Sequence, residues 1–183
     1  MRRDAVGRGG QWAFTLVELM VAVAVLALLL GVALPSFSRM LDDYRLTTFS
    51  NELHHALSLA RSEAIKRGRR ITLCPSRDGQ WCDNAAGWDA GWVVFADANG
   101  NARRDPSELL VAVGPAAPQG MIARGNGSMA RYVSFIPLGI TQAAGGAFQA
   151  GTIQVCNGER QRSLVISRSG RVRVQRGGVC TLA

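Results

Sequence analysis

The chain has 183 residues and a formal charge of +8, carried almost wholly by arginine, with Lys66 the single lysine. That length fits one domain plus an appendage, and the charge favours polyanions or acidic lipid as partners. No C-x-x-C occurs, and the two histidines, His54 and His55, are neighbours in a helical stretch. This argues against a zinc centre, and with no nucleophile–base pair or phosphate loop it argues against an enzyme. No metal or cofactor is expected.

Arg2, Arg3 and Arg8 precede a run, Leu16 to Leu34, that is apolar except for Glu18. As a helix rising 1.5 Å per residue it approaches the ~30 Å of a bilayer core, and the arginines fit a cytoplasmic N-terminus. A carboxylate inside such a run costs a few kcal/mol and calls for a partner, which speaks against a secretory signal cleaved at Gly31–Ala33; a simple single-span anchor is a further reading. The helical pattern also continues. Leu46, Phe49, Leu53, Leu57 and Ala60 recur at spacings of three and four, the mark of one buried helix face. One helix from about Phe14 to about Arg67 is predicted, bent at Pro35 and stopped at Gly68.

The stretch AFTLVELMVAVAVLALLLGVALPSF (residues 13–37) resembles the N-terminus of type IV pilins and type II secretion pseudopilins. The resemblance implies that a prepilin peptidase cuts between Ala13 and Phe14 on the cytoplasmic side and methylates the new Phe14 amine. Glu18 then becomes the fifth mature residue, and its carboxylate is expected to meet the N-terminal amine of a neighbouring subunit in a filament. The family usually has glycine before the cut, and Ala13 departs from that. The implied organisation is a leader (1–13), a transmembrane half-helix (14–35), an amphipathic half-helix (36–68) and a periplasmic β domain (69–183). The single-pass chain would sit in the inner membrane and be incorporated into a pilus or pseudopilus.

Past Gly68 the periodicity shortens to β-rich runs between turn residues. Strands are predicted at Arg70–Cys74, Trp92–Ala96, Leu109–Val113, Tyr132–Ile136, Thr152–Cys156, Ser163–Ser167 and Arg171–Gln175. No further helix separates them, so the sheets should be antiparallel. Two small sheets are expected to pack on the C-terminal half of the helix, against Leu53, Leu57, Ala60 and Ala64. Residues 120–128 and 139–151 read as flexible loops. Four cysteines can pair in three ways; an exported domain favours disulfides, and neighbour pairing, Cys74–Cys82 and Cys156–Cys180, is expected. Trp88 and Trp92 read as core.

Asp97, Asn99, Asn101, Asp105 and Glu108 fall at positions 1, 3, 5, 9 and 12 of a calcium-loop spacing. The glycine such a loop wants at its sixth position is replaced by Ala102, and the glycine is Gly100. Asn-Gly is a hairpin signal, and an ordinary turn is the reading taken over calcium.

The same stretch, W-D-x-G-W-V-V-F-x-D-x-N-G, together with CPSRDGQWC before it and VC…LVISRSGRVRV…C near the end, resembles the GspH/FimT branch of minor pilins. The resemblance implies an α+β pilin-like fold, with the long helix on an antiparallel two-sheet β domain, and a low-copy subunit whose partners are other pilins or pseudopilins. From Gly151 onward lie Arg160, Arg162, Arg168, Arg171, Arg173 and Arg176, opposed by Glu159 alone. On a strand, Arg171 and Arg173 share a face roughly 6.6 Å apart, close to the spacing of successive phosphates. Gly170 should form a tight turn that leaves the backbone open to a ligand. In FimT-type minor pilins a C-terminal G-R-x-R sequence is associated with DNA binding, and Gly170, Arg171, Val172 and Arg173 match it. Arg168 and Arg176 flank the pair, so four arginines are expected to engage DNA. A solvated strand on a purely structural filament subunit is the alternative.

Overall fold

A computed structural model of the chain describes residues 15–180, except the side chains of 32–36. The expected cleavage position, Ala13–Phe14, lies outside the described residues, as does the side chain of Pro35, where a bend is expected. The chain divides into two compact units between Met40 and Leu41.

Helix α1, Leu16–Arg67, contributes to both units. Its start has a local cause: Thr15 Oγ1 accepts from the Glu18 amide at 3.2 Å, within the T-x-x-E order of a capping box. A carboxylate in a helix's first turn also sits favourably in the helix dipole, so Glu18 has a local role as well as the one its family resemblance implies. Glycine ends the helix, since Gly68 adopts φ +62°, a left-handed conformation that L residues resist. Glu63 and Arg67, one turn apart, form an ion pair in the last turns, and the Arg67 hydrogen bond holds the Glu63 carboxyl below its usual range. Among the described residues no helix is long and apolar enough to cross a membrane. Of the expected span, 14–35, residue 14 and the side chains of 32–35 lie outside that set.

Beyond Met40, α1 presents Leu46, Phe49, Leu53, Leu57, Ala60 and Ala64, all buried, to two four-stranded antiparallel sheets. The first sheet has the order β3-β2-β1-β5, from β1 (Ile71–Pro75), β2 (Trp92–Ala96), β3 (Leu110–Gly114) and β5 (Val133–Phe135). The second has the order β4-β6-β7-β8, from β4 (Met121–Gly125), β6 (Gly151–Asn157), β7 (Arg160–Ile166) and β8 (Val172–Val179). Trp92 packs edge-on to Phe49 with ring centroids 5.5 Å apart. Trp88 is fully buried and donates its indole N–H to the Met129 carbonyl at 2.7 Å. Helix and both sheets thus share one apolar core.

Strand β4 corrects the reading of 120–128 as a loop. It pairs with β6 from Met121↔Asn157 to Gly125↔Ile153. Met121 and Ala123 point inward, while Ile122 and Arg124 are exposed, so the largest branched residue lies outside and the inward set is weakly apolar. Asn99–Gly100 also closes no two-residue turn. β2 and β3 are joined by the long connection 97–109, in which Gly100 and Ala102 adopt φ +73° and +58°. Disulfides join Cys74 to Cys82 and Cys156 to Cys180, with Cα atoms 5.4 and 5.8 Å apart. The second ties the end of the edge strand β8 to β6.

Candidate nucleic-acid interface

The six C-terminal arginines separate into two groups because of strand parity. Paired residues of β7 and β8 share a face, and Leu164↔Val174 and Ile166↔Val172 face the core. Residues at even steps from these follow them inward, so Arg162↔Arg176 lies on the helix side of the sheet. Arg162 is 8% exposed. It approaches Asp43 Oδ1 of α1 at 3.5 Å, and Arg160 approaches the same oxygen at 3.6 Å. Arg176 joins them in lining a cleft of about 500 Å³. This removes Arg176 from the expected track: it is three residues from Arg173, and an odd step reverses the side.

Arg171 and Arg173 form the other group. Both are exposed while Val172 and Val174 are half-buried. Neither side chain has an ion-pair or hydrogen-bond partner among the described residues. Arg168, in the β7–β8 turn, lays its guanidinium 4.1 Å from the centroid of the exposed Phe148 ring, a cation–π contact that leaves its edge toward solvent. Arg171 also borders a cleft of about 440 Å³ together with His54 and Arg61 of α1.

The turn owes its shape to Gly170. The Ser167 amide donates to the Arg171 carbonyl at 3.0 Å and the Gly170 amide to the Ser167 carbonyl at 2.9 Å. Gly170 has φ +74°, and a Cβ built there would lie 2.0 Å from the Gly139 carbonyl oxygen. That same oxygen accepts from Arg61 Nε at 2.9 Å. Gly170 is therefore buried under the 139–151 segment, and its backbone is not open to a ligand as expected. This segment also has a fixed place, since Thr141 Oγ1 donates toward the Ser167 carbonyl at 3.1 Å. What Gly170 provides is the positioning of Arg171 at the start of the exposed strand face. The partnership with Gly139 could not be read from the sequence, whereas the side taken by Arg176 could have been, from parity alone.

Among the described residues no three Asp, Glu, His or Cys side chains gather into a metal-ligating group. The arrangement is one of exposed cations on a hydrogen-bonded hairpin, suited to binding anions.

Residues 50–170 match the family model described as type II transport protein GspH. The chain belongs to the GspH/FimT family of minor pilins and pseudopilins. It is 30% identical over 172 residues to the pilin-like protein PilA1 of Thermus thermophilus, a match covering 88% of this chain and 96% of that one. The type IV minor pilin FimU of Pseudomonas aeruginosa has a similar fold, with a TM-score of 0.54 at 20% identity over 73% of this chain and 90% of that one. The family's pilin fold, a helix on an antiparallel two-sheet β domain, is thus the fold of this chain, and its members assemble into pili or pseudopili.

Proposed function

We propose that this chain is a minor type IV pilin that binds extracellular DNA without sequence preference and supports its uptake. In this reading a prepilin peptidase removes 1–13 and methylates Phe14, residues 14–35 span the inner membrane, and the β domain lies in the periplasm until assembly. The observation that carries the DNA reading is the sorting of the arginines. Arg160 and Arg162 are engaged by Asp43, with Arg176 beside them, whereas Arg171 and Arg173 project unpaired from one strand face with Arg168 at its end. Phosphates carry no base information, so such contacts bind any sequence. Three arginines, not four, then set the salt dependence, with a slope of log K against log salt of roughly −2 to −3.

The test measures DNA binding by the detergent-solubilised full chain across a salt series. Arg171→Gln with Arg173→Gln should flatten the slope by about two units and lower DNA uptake, with thermal stability and filament assembly unchanged. Lysine at both positions should retain much of the binding, since charge dominates here. Parental binding and slope in the double glutamine variant would leave a structural subunit. The match to a type II transport family model favours that second reading: a pseudopilin, or a minor pilin needed for filament initiation, with no role in DNA binding.

A further inference from the structure

We infer that the β2–β3 connection, Asp97 to Glu108, is a calcium site. Its first residue is the reason. Asp97 is 1% exposed. Its Oδ2 accepts from Thr72 Oγ1 at 2.8 Å and from the Ala102 amide at 3.1 Å. Its Oδ1 is buried without a hydrogen-bond partner, and no cation pairs with the carboxylate among the described residues. A buried carboxylate without a countercharge is costly, and proteins pair such groups or give them a metal.

The remaining oxygens come from the same loop. Asn99, Asn101, Asp105 and Glu108 stand at the third, fifth, ninth and twelfth positions counted from Asp97. Ala102, at the sixth, takes the left-handed φ of +58° that such a loop usually gives to glycine. Its amide donates to Asp97 Oδ2, which ties the sixth position of the loop to the first. Glu108 closes the circuit: its Oε1 accepts from the Ala98 amide at 2.8 Å and its Oε2 from the Asp105 amide at 3.0 Å. Each carboxylate oxygen has a further lone pair for a metal. The three carboxylates do not by themselves gather round one point, and Asn99 and Asn101 donate their side-chain nitrogens to Asp105 Oδ2 at 2.6 and 3.2 Å; calcium, a hard ion that takes six to eight oxygens including amide and backbone carbonyls, would have to turn these side chains inward. Arg104 does not fill the centre. It donates to the Gln80 and Glu108 carbonyls at 2.9 and 3.3 Å and lies 5.0 Å from the Trp81 ring centroid. Calcium would thereby brace the disulfide loop that holds Trp81 against the β2–β3 connection.

The test uses the full chain in detergent with disulfides intact. Calcium at 10 mM should raise the melting temperature by about 3–11 °C over chelator, as expected for a site with a dissociation constant of roughly 10⁻⁴–10⁻³ M. Magnesium at 10 mM should not. Terbium should show tryptophan-sensitised emission, with Trp81 bordering the same cleft as Asp105, and calcium should displace it. Asp97→Asn should abolish both responses. Because that side chain is buried, the exposed-side Asp105→Asn, expected to weaken calcium at least tenfold, decides should the first variant not fold. Equal melting temperatures in calcium and chelator, or terbium emission unchanged in Asp105→Asn, would overturn the site.

Discussion

Gly170 does two things that no other residue can do at its position. It takes a left-handed φ, and it leaves room for the Gly139 carbonyl, which a Cβ would meet at 2.0 Å. Gly170→Ala should therefore destabilise the protein by about 2–4 kcal/mol, a strained backbone plus a steric clash with main chain. Urea denaturation would measure this, with the exposed neighbour Ser169→Ala as a control expected within ~0.5 kcal/mol of the parent. A Gly170→Ala protein as stable as the control would show that the turn can open away from Gly139. The first half of this role, a tight turn, is legible in the sequence S-R-S-G-R. The second half is not, because Gly139 lies 31 positions earlier and a carbonyl offers no sequence signature. Arg162 and Arg176 show another limit. Arginines in a solvent-rich composition read as surface, yet Asp43 draws Arg162 under the sheet.

At the scale of elements, long periodic segments were the most readable. The α1 face from Leu46 to Ala64 and seven of the eight strands follow from spacing alone, because burial demands it. Strand β4 escaped because its inward residues are Met121, Ala123 and the bounding Gly125, and the partner β6 supplies the apolar contacts. Edge strand β8 is held on one side only, by β7, with the Cys156–Cys180 bond at its end. That bond spans 24 positions and should contribute about 3–4 kcal/mol by restricting the unfolded chain. Replacing both cysteines by serine should lower stability by about that amount. It should also raise amide exchange from Arg176 to Cys180 while leaving β1 and β2 protected. Equal exchange along β8 in both proteins would mean that the ladder to β7 suffices.

For the whole molecule, the proposed function gives assembly to the N-terminal segment and DNA to the β domain, and the two can be tested apart. Mass spectrometry of the mature protein should find a chain beginning at Phe14 with one added methyl; a start at Leu34 would indicate an ordinary signal peptide and remove the filament reading. Glu18→Ala should insert in the membrane normally, since it makes the run more apolar, but should be depleted from sheared filaments. Normal amounts there would reduce Glu18 to its place in the first turn of α1, beside the Thr15 cap.

The fastening of β8 has a mechanical meaning if a filament retracts with DNA attached. Load applied at Arg171 and Arg173 along the strand axis would stress the ladder to β7 in shear, with many bonds sharing the force at once, and not peel it one pair at a time. The turn before the strand is held by Thr141, which bonds the Ser167 and Arg168 carbonyls and lies two residues from the Gly139 carbonyl that Arg61 of α1 grips, and the downstream end is moored covalently through Cys180. A hairpin anchored at both ends would pass such tension into α1 and the core beneath it, where a strand with a free end would give way at its edge.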